Sequence, residues 1–79
     1  MTRPTSVAAH FDDEGEITPR RFTWAGTTLT VERVGRRWRE QETRCFLVMV
    51  AGGTVYELRL DEHTLRWRVD RVGGKPFVA

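Results

Sequence analysis

The feature that most constrains this chain is a two-residue alternation of apolar and polar side chains that recurs along its length. In "VYELRL", Tyr56, Leu58 and Leu60 fall on one side and Glu57 and Arg59 on the other. "LRWRV" repeats the pattern, with Leu65, Trp67 and Val69 alternating with Arg66, Arg68 and then Asp70. "RFTW" sets Phe22 and Trp24 against Arg21 and Thr23, and "TLTV" sets Leu29 and Val31 against Thr28 and Thr30. Val7, Ala9 and Phe11 alternate in the same way near the start. A period of two belongs to a half-buried strand, because successive side chains leave opposite faces of the pleat.

Turn signals separate these runs. Ala25-Gly26 joins "RFTW" to "TLTV" as a hairpin, Gly52-Gly53 and Asp61–Thr64 follow later strands, and Gly73-Gly74 closes the last. The run "CFLVMV" at 45–50 is apolar throughout, which predicts a central strand buried on both faces. Val34 is out of phase with Val31, the mark of a bulge or of a strand's end. The segment "RVGRRWREQETR" at 33–44 holds helix formers in its second half and admits a short helical turn near 36–43.

Short strands at such spacing predict an all-β domain: a small antiparallel meander of five or six strands, a twisted sheet or partly open barrel. Its expected core is Phe22, Trp24, Leu29, Val31, Phe46, Val48, Tyr56, Leu58, Trp67 and Val69. Residues 1–6 are expected to be a flexible start, 7–75 the single β domain and 76–79 a C-terminal tail. A chain of 79 residues buries only about 60–65% of its unfolded surface, so this core is thin. Eight aromatic residues compensate, since each can bury roughly 150–250 Å².

Composition excludes more than it assigns. The single cysteine, Cys45, permits no internal disulfide and leaves no Cys/His set for structural zinc. Beside Phe46 and Leu47 it reads as a buried thiol behaving as a small hydrophobe. The chain has no Gly-rich phosphate loop, no His-Glu-x-x-His and no nucleophile elbow, and its one serine is Ser6. "DDE" at 12–14 reads as a solvated acidic turn, because adjacent carboxylates on an extended chain diverge. His63 in "DEHT" is a turn residue. Neither catalysis nor a cofactor is therefore expected. No run reaches the length of a membrane span and the first residues lack a signal peptide's apolar segment, which predicts a cytoplasmic location.

Charge is the one functional signal. Twelve of the thirteen basic residues are arginine, a bias that GC-rich coding produces without any ligand. Residues 10–16 carry four acids, whereas 33–44 carries five arginines and two glutamates. The candidate surface comprises Arg36, Arg37, Trp38, Arg39, Arg66 and Arg68. Small β-barrels bind single strands by combining a positive groove with exposed aromatic platforms. Trp67 alternates away from Arg66 and Arg68, so only Trp38 could serve as a platform here. A solvated, partly ion-paired surface is the plainer reading, with Glu57 and Arg59 as cross-strand partners.

The order "HFDDEGEITPRRFTWAGTTLTVERVGRRWRE" followed by "VYELRLDEHTLRWRVDRV" resembles a small bacterial domain family of unknown function. The matching positions are Phe11, Asp12, Gly15, Pro19, Arg20, Arg21, Phe22, Trp24, Gly26, Val34, Arg37, Trp38, Arg39, Glu40, Tyr56, Glu57, Leu58, Trp67 and Val72. They run through nearly the whole chain. The chain departs from the family at "LRL" (58–60), where relatives carry a further aromatic, and at Gly73-Gly74, where they end in an aromatic-acidic pair. Members occur alone or attached to bacterial proteins resembling Y-family translesion DNA polymerases. The resemblance thus implies an accessory or docking role near DNA repair, and supplies no catalytic residues. The expected function is a non-catalytic module that docks a protein partner or forms a homodimer, since a thin sheet gains stability from a partner. The alternative is a nucleic-acid-binding protein using the arginine-rich face.

Overall fold

A computed structural model describes residues 2–73 and Phe77. Eight strands succeed one another: β1 (Arg3–Thr5), β2 (Val7–Phe11), β3 (Ile17–Trp24), β4 (Thr27–Thr30), β5 (Arg33–Glu40), β6 (Thr43–Met49), β7 (Val55–Asp61) and β8 (Arg66–Arg71). All pairings are antiparallel and form two sheets, one of order β1-β8-β7-β6-β5 and one of order β2-β3-β4. The sheets do not close into a barrel.

The expected all-β meander is what forms, with more strands than the five or six anticipated. The surplus arises because two stretches of extended chain change sheets. At Ser6 the chain passes from β1 to β2, and the Ser6 carbonyl accepts a hydrogen bond from Thr23 N at 3.2 Å. After Thr30 it passes from β4 to β5. Val31 N still bonds Arg20 O in the smaller sheet at 2.8 Å, and Glu32 N already bonds Met49 O in the larger one at 2.8 Å. The flexible start expected at 1–6 is corrected for Arg3–Thr5, which pair with β8; Thr5 Oγ1 also donates to Thr23 O at 2.8 Å. Of the expected tail only Phe77 falls among the described residues, and 74–75 of the expected domain lie outside them.

No helical turn forms at 36–43. Residues 33–40 complete β5, and Gln41 and Glu42 make the turn into β6, with Gln41 at φ 55°. Local helix preference loses because Trp38 and Val34 gain cross-strand neighbours, Cys45 and Val48, that a helix would not give them. Among the described residues no helix is long and apolar enough to cross a membrane.

All ten expected core residues join one hydrophobic cluster between the sheets. Phe22, Phe46, Val48, Tyr56, Leu58 and Val69 are buried, while Trp24, Leu29, Val31 and Trp67 pack against them partly exposed. Ile17, Val50 and Leu60 complete the buried set. Tyr56 links the layers, with its ring edge-on to Phe22 at 5.1 Å and to Trp24 at 5.2 Å between centroids. Such pairs add about 0.5–1.5 kcal/mol each beyond area burial.

The turns follow from their residues. Ala25 and Gly26 have φ of 50° and 79°, the two positive values that a tight hairpin with the sheet's own twist requires. In the β7–β8 turn, Asp61 Oδ1 accepts from His63 N at 2.8 Å and Thr64 N at 3.1 Å. These backbone donors hold the Asp61 carboxyl below its usual range.

Leu65, expected to start the last strand beside Trp67, instead ends this turn at φ 61° and is 72% exposed. A left-handed backbone costs a branched side chain about 1–2 kcal/mol, and Leu65 gains no burial in return. Leu65→Asn is expected to stabilise the domain by about 0.5–1 kcal/mol, read as a rise of roughly 2–8 °C in a circular dichroism melt. An unchanged or lower midpoint would contradict the strain assigned to this position.

Candidate functional site

The larger sheet has one face on the core and one turned away from the second sheet. Register assigns each side chain. Phe46, Leu58 and Val69 form a cross-strand row on the core face. The alternate rows, Trp38–Cys45–Arg59–Arg68 and Leu47–Glu57–Asp70, therefore lie on the outer face. Cys45 and Leu47 are buried on this outer face, outside the main core cluster, at 0% and 1% exposure. The continuous apolar run at 45–50 is explained by that arrangement.

A bulge decides where the candidate arginines go. Between Val34, opposite Val48, and Arg37, opposite Phe46, β5 carries one extra residue, so Gly35 and Arg36 share the place opposite Leu47. Arg36 consequently joins Trp38 on the outer face, its guanidinium 4.7 Å from the indole centroid. The indole Nε1 donates to Glu40 Oε1 at 2.8 Å. Arg59 donates to Glu57 Oε2 at 2.8 Å and reaches Glu40 Oε2 at 3.5 Å. Glu57 is 5% exposed, and its hydrogen bond is the leading cause that pushes the Arg59 guanidinium further toward its charged form. The residues Arg36, Trp38 and Glu40 of β5 and Arg59 and Glu57 of β7 thus form one connected polar network that reaches across β6.

Arg66 and Arg68 lie on the same outer face, on β8. Arg68 is steadied by Thr2, donating to its Oγ1 and its carbonyl at 3.0 Å each. The cross-strand pairing expected between the Glu57–Arg59 strand and its neighbour takes another form: Arg59 stands opposite Arg68 and Glu57 opposite Asp70. The ion pair runs along β7 instead, between Glu57 and Arg59.

Arg37 and Arg39 alternate to the other side. Arg37 is ion-paired with Glu16 of the β2–β3 turn, and Arg39 with Glu62 at 2.9 Å. Arg44, opposite Arg39, donates to Gly15 O at 3.0 Å. The six candidate residues therefore divide, four on the outer face and two at the wet end of the core face.

The cysteine and the two histidines stay apart. Cys45 is buried in the larger sheet, His10 is exposed on the smaller one, and His63 sits in the β7–β8 turn 3.8 Å from Glu42. Asp12 Oδ1 accepts from Glu14 N and Glu16 N at 2.9 Å each, so the acidic stretch is a self-bonded turn. Among the described residues no group of three His, Cys, Asp or Glu side chains could hold a metal ion.

Sequence reasoning set Arg21 opposite the core residues Phe22 and Trp24 but missed that Arg20 joins it on the surface. β3 also carries a bulge, between the Ala8–Arg21 and Ala9–Pro19 pairs. Both arginines are exposed between buried Pro19 and Phe22. The only sequence signal was that pair of apolar residues three apart, which no unbroken strand can bury on one face. No protein-family model, curated protein or solved structure matches this chain.

Proposed function

We propose that this chain is a non-catalytic binding module that docks a protein partner, or a second copy of itself, through the outer face of the larger sheet. The observation carrying this reading is Trp38, half-buried and held on both its polar edge and its ring by Glu40 and Arg36. Tryptophan and arginine dominate the energetics of protein interfaces. A side chain already immobilised loses little entropy when a partner covers it. Arg36 beside it, with Arg66 and Arg68 on the same face across the sheet, favours a partner surface that presents carboxylates. The resemblance to a family attached to Y-family polymerase-like proteins adds such a polymerase-like protein as the first partner to try, and with it a DNA-repair setting.

Nucleic acid on this same face is the weaker reading. A stacking platform needs a free ring face, whereas Arg36 lies over the Trp38 ring. Arg37 and Arg39 point to the other side and are paired with acids.

The test combines calorimetric titration against a cognate polymerase-like protein with sedimentation of the chain alone across concentrations. Either heterologous binding or dimerisation is expected, and Trp38→Ala should weaken it about thirtyfold or more, the equivalent of roughly 2 kcal/mol at an interface centre. Arg68→Glu should weaken it as well. A chain that stays monomeric and unbound, or an association indifferent to Trp38, would overturn the proposal.

A further inference from the structure

The smaller sheet has an outer face of different character. Arg20 is the extra residue of the β3 bulge, so it and Arg21 both project into solvent from consecutive positions. An unbroken strand would send one of two neighbours inward; bulges re-aim side chains in this way. Arg21 stands between Ala8 and Thr30 on the flanking strands, both small, and His10 pairs with Thr18 further along. A shallow depression runs between His10, Ala8 and the two arginines, and a second adjoins it at Ser6, Arg21 and Thr28.

This face has no negative charge of its own. None of the residues of β2, β3 and β4 is acidic. Among the described residues no ion pair joins Arg20 or Arg21 to a carboxylate, unlike Arg37, Arg39 and Arg59. Two exposed arginines set among serine and threonine hydroxyls are the groups that contact phosphate and sugar oxygens.

We propose that this face docks the phosphodiester backbone of a double-stranded nucleic acid. The depressions are open and shallow, so a small anion would remain largely hydrated there. A polyanion gains in addition from the counterions it releases. By register the face carries no phenylalanine, tyrosine or tryptophan ring, since Phe11, Phe22 and Trp24 fall on the opposite side of their strands; its one ring is the small imidazole of His10. A run of large stacking platforms, the usual means of holding a single strand, is therefore lacking, and backbone contact to a duplex is favoured. The acidic turn at 12–16 lies just past His10 and repels phosphate, confining the duplex to the Arg20–Arg21 end. The inference does not rest on the Trp38 face, and either can fail alone.

The experiment is fluorescence anisotropy of a labelled duplex of about 20 base pairs, titrated with the whole chain from about 20 mM salt upward. Two phosphate contacts predict that log K falls against log salt with a slope of about 1.8 in magnitude. Arg20→Gln/Arg21→Gln is expected to remove most of that slope and at least tenfold of the low-salt affinity, with an unchanged melting temperature because both side chains are exposed. Arg71→Gln, a charge removed from the other sheet, is expected to leave the slope as it was. Absence of binding at the lowest salt overturns the proposal. So does a double variant that keeps the wild-type slope, or an oligothymidylate that binds more tightly than the duplex.

Discussion

Arg59→Ala is expected to lower the thermal midpoint by roughly 12–24 °C, the largest effect of any single exposed-face substitution in this domain. The reason is what it leaves behind. The Glu57 side chain is only 7% exposed, and Arg59 covers it at 2.8 Å. Removing Arg59 takes a charge-assisted hydrogen bond away from a carboxylate that is nearly out of water, and breaking a buried pair in this way costs about 3–5 kcal/mol. Arg59 is itself 28% exposed, which favours the lower figure. For a domain of this size about 3 kcal/mol corresponds to the shift stated, at roughly 4–8 °C per kcal/mol. The double variant Glu57→Leu/Arg59→Met should recover most of the loss, because it removes the buried carboxylate together with the guanidinium that covers it. Circular dichroism melts of the two singles and the double close the cycle. An Arg59→Ala midpoint close to wild type would show that the Glu57–Arg59 pair contributes little to stability.

That network shows where the sequence was readable and where it was not. Strand phase came directly from side-chain order, because Phe22 with Trp24, and Tyr56 with Leu58, can share a face only in an extended chain. The ten core residues followed from phase alone, and all of them join the cluster. The surface did not follow in the same way. One extra residue at Gly35–Arg36 reverses the phase of everything beyond it, and composition carries no trace of the insertion. Arg36 and Trp38 therefore lie on the outer face and Arg37 and Arg39 on the core side, whereas an unbroken strand continuing from Val34 would have set the two pairs the other way round. The bulge at Arg20 did the same in the smaller sheet and concealed that Arg20 joins Arg21 on its outer face. Leu65 failed for another reason: Asp61 captured the turn's amides, and the turn extended one residue past the expected start of β8.

Gly35→Ala is expected to destabilise the domain by about 1–2 kcal/mol, the reverse of what the substitution ordinarily does within a strand. Glycine inside a strand usually costs roughly 0.5–1 kcal/mol relative to alanine, through lost chain entropy. Here a methyl group at position 35 would collide with the Phe77 carbonyl oxygen and lie 3.0 Å from its carbon. That carbonyl accepts the Arg36 amide at 2.8 Å, and the Phe77 ring lies 5.5 Å from the Arg33 guanidinium. Alanine must displace Phe77 and so forfeits a hydrogen bond worth about 1 kcal/mol together with a cation–π contact worth about 0.5–1 kcal/mol. The two opposed terms can be separated by shortening the chain. In a chain ending at Gly73 the steric conflict no longer exists, and Gly35→Ala should become neutral or stabilising. Paired melts of the four chains read the coupling directly. A loss of equal size in the full-length and shortened backgrounds would place the need for glycine in the bulge itself and remove Phe77 from the account.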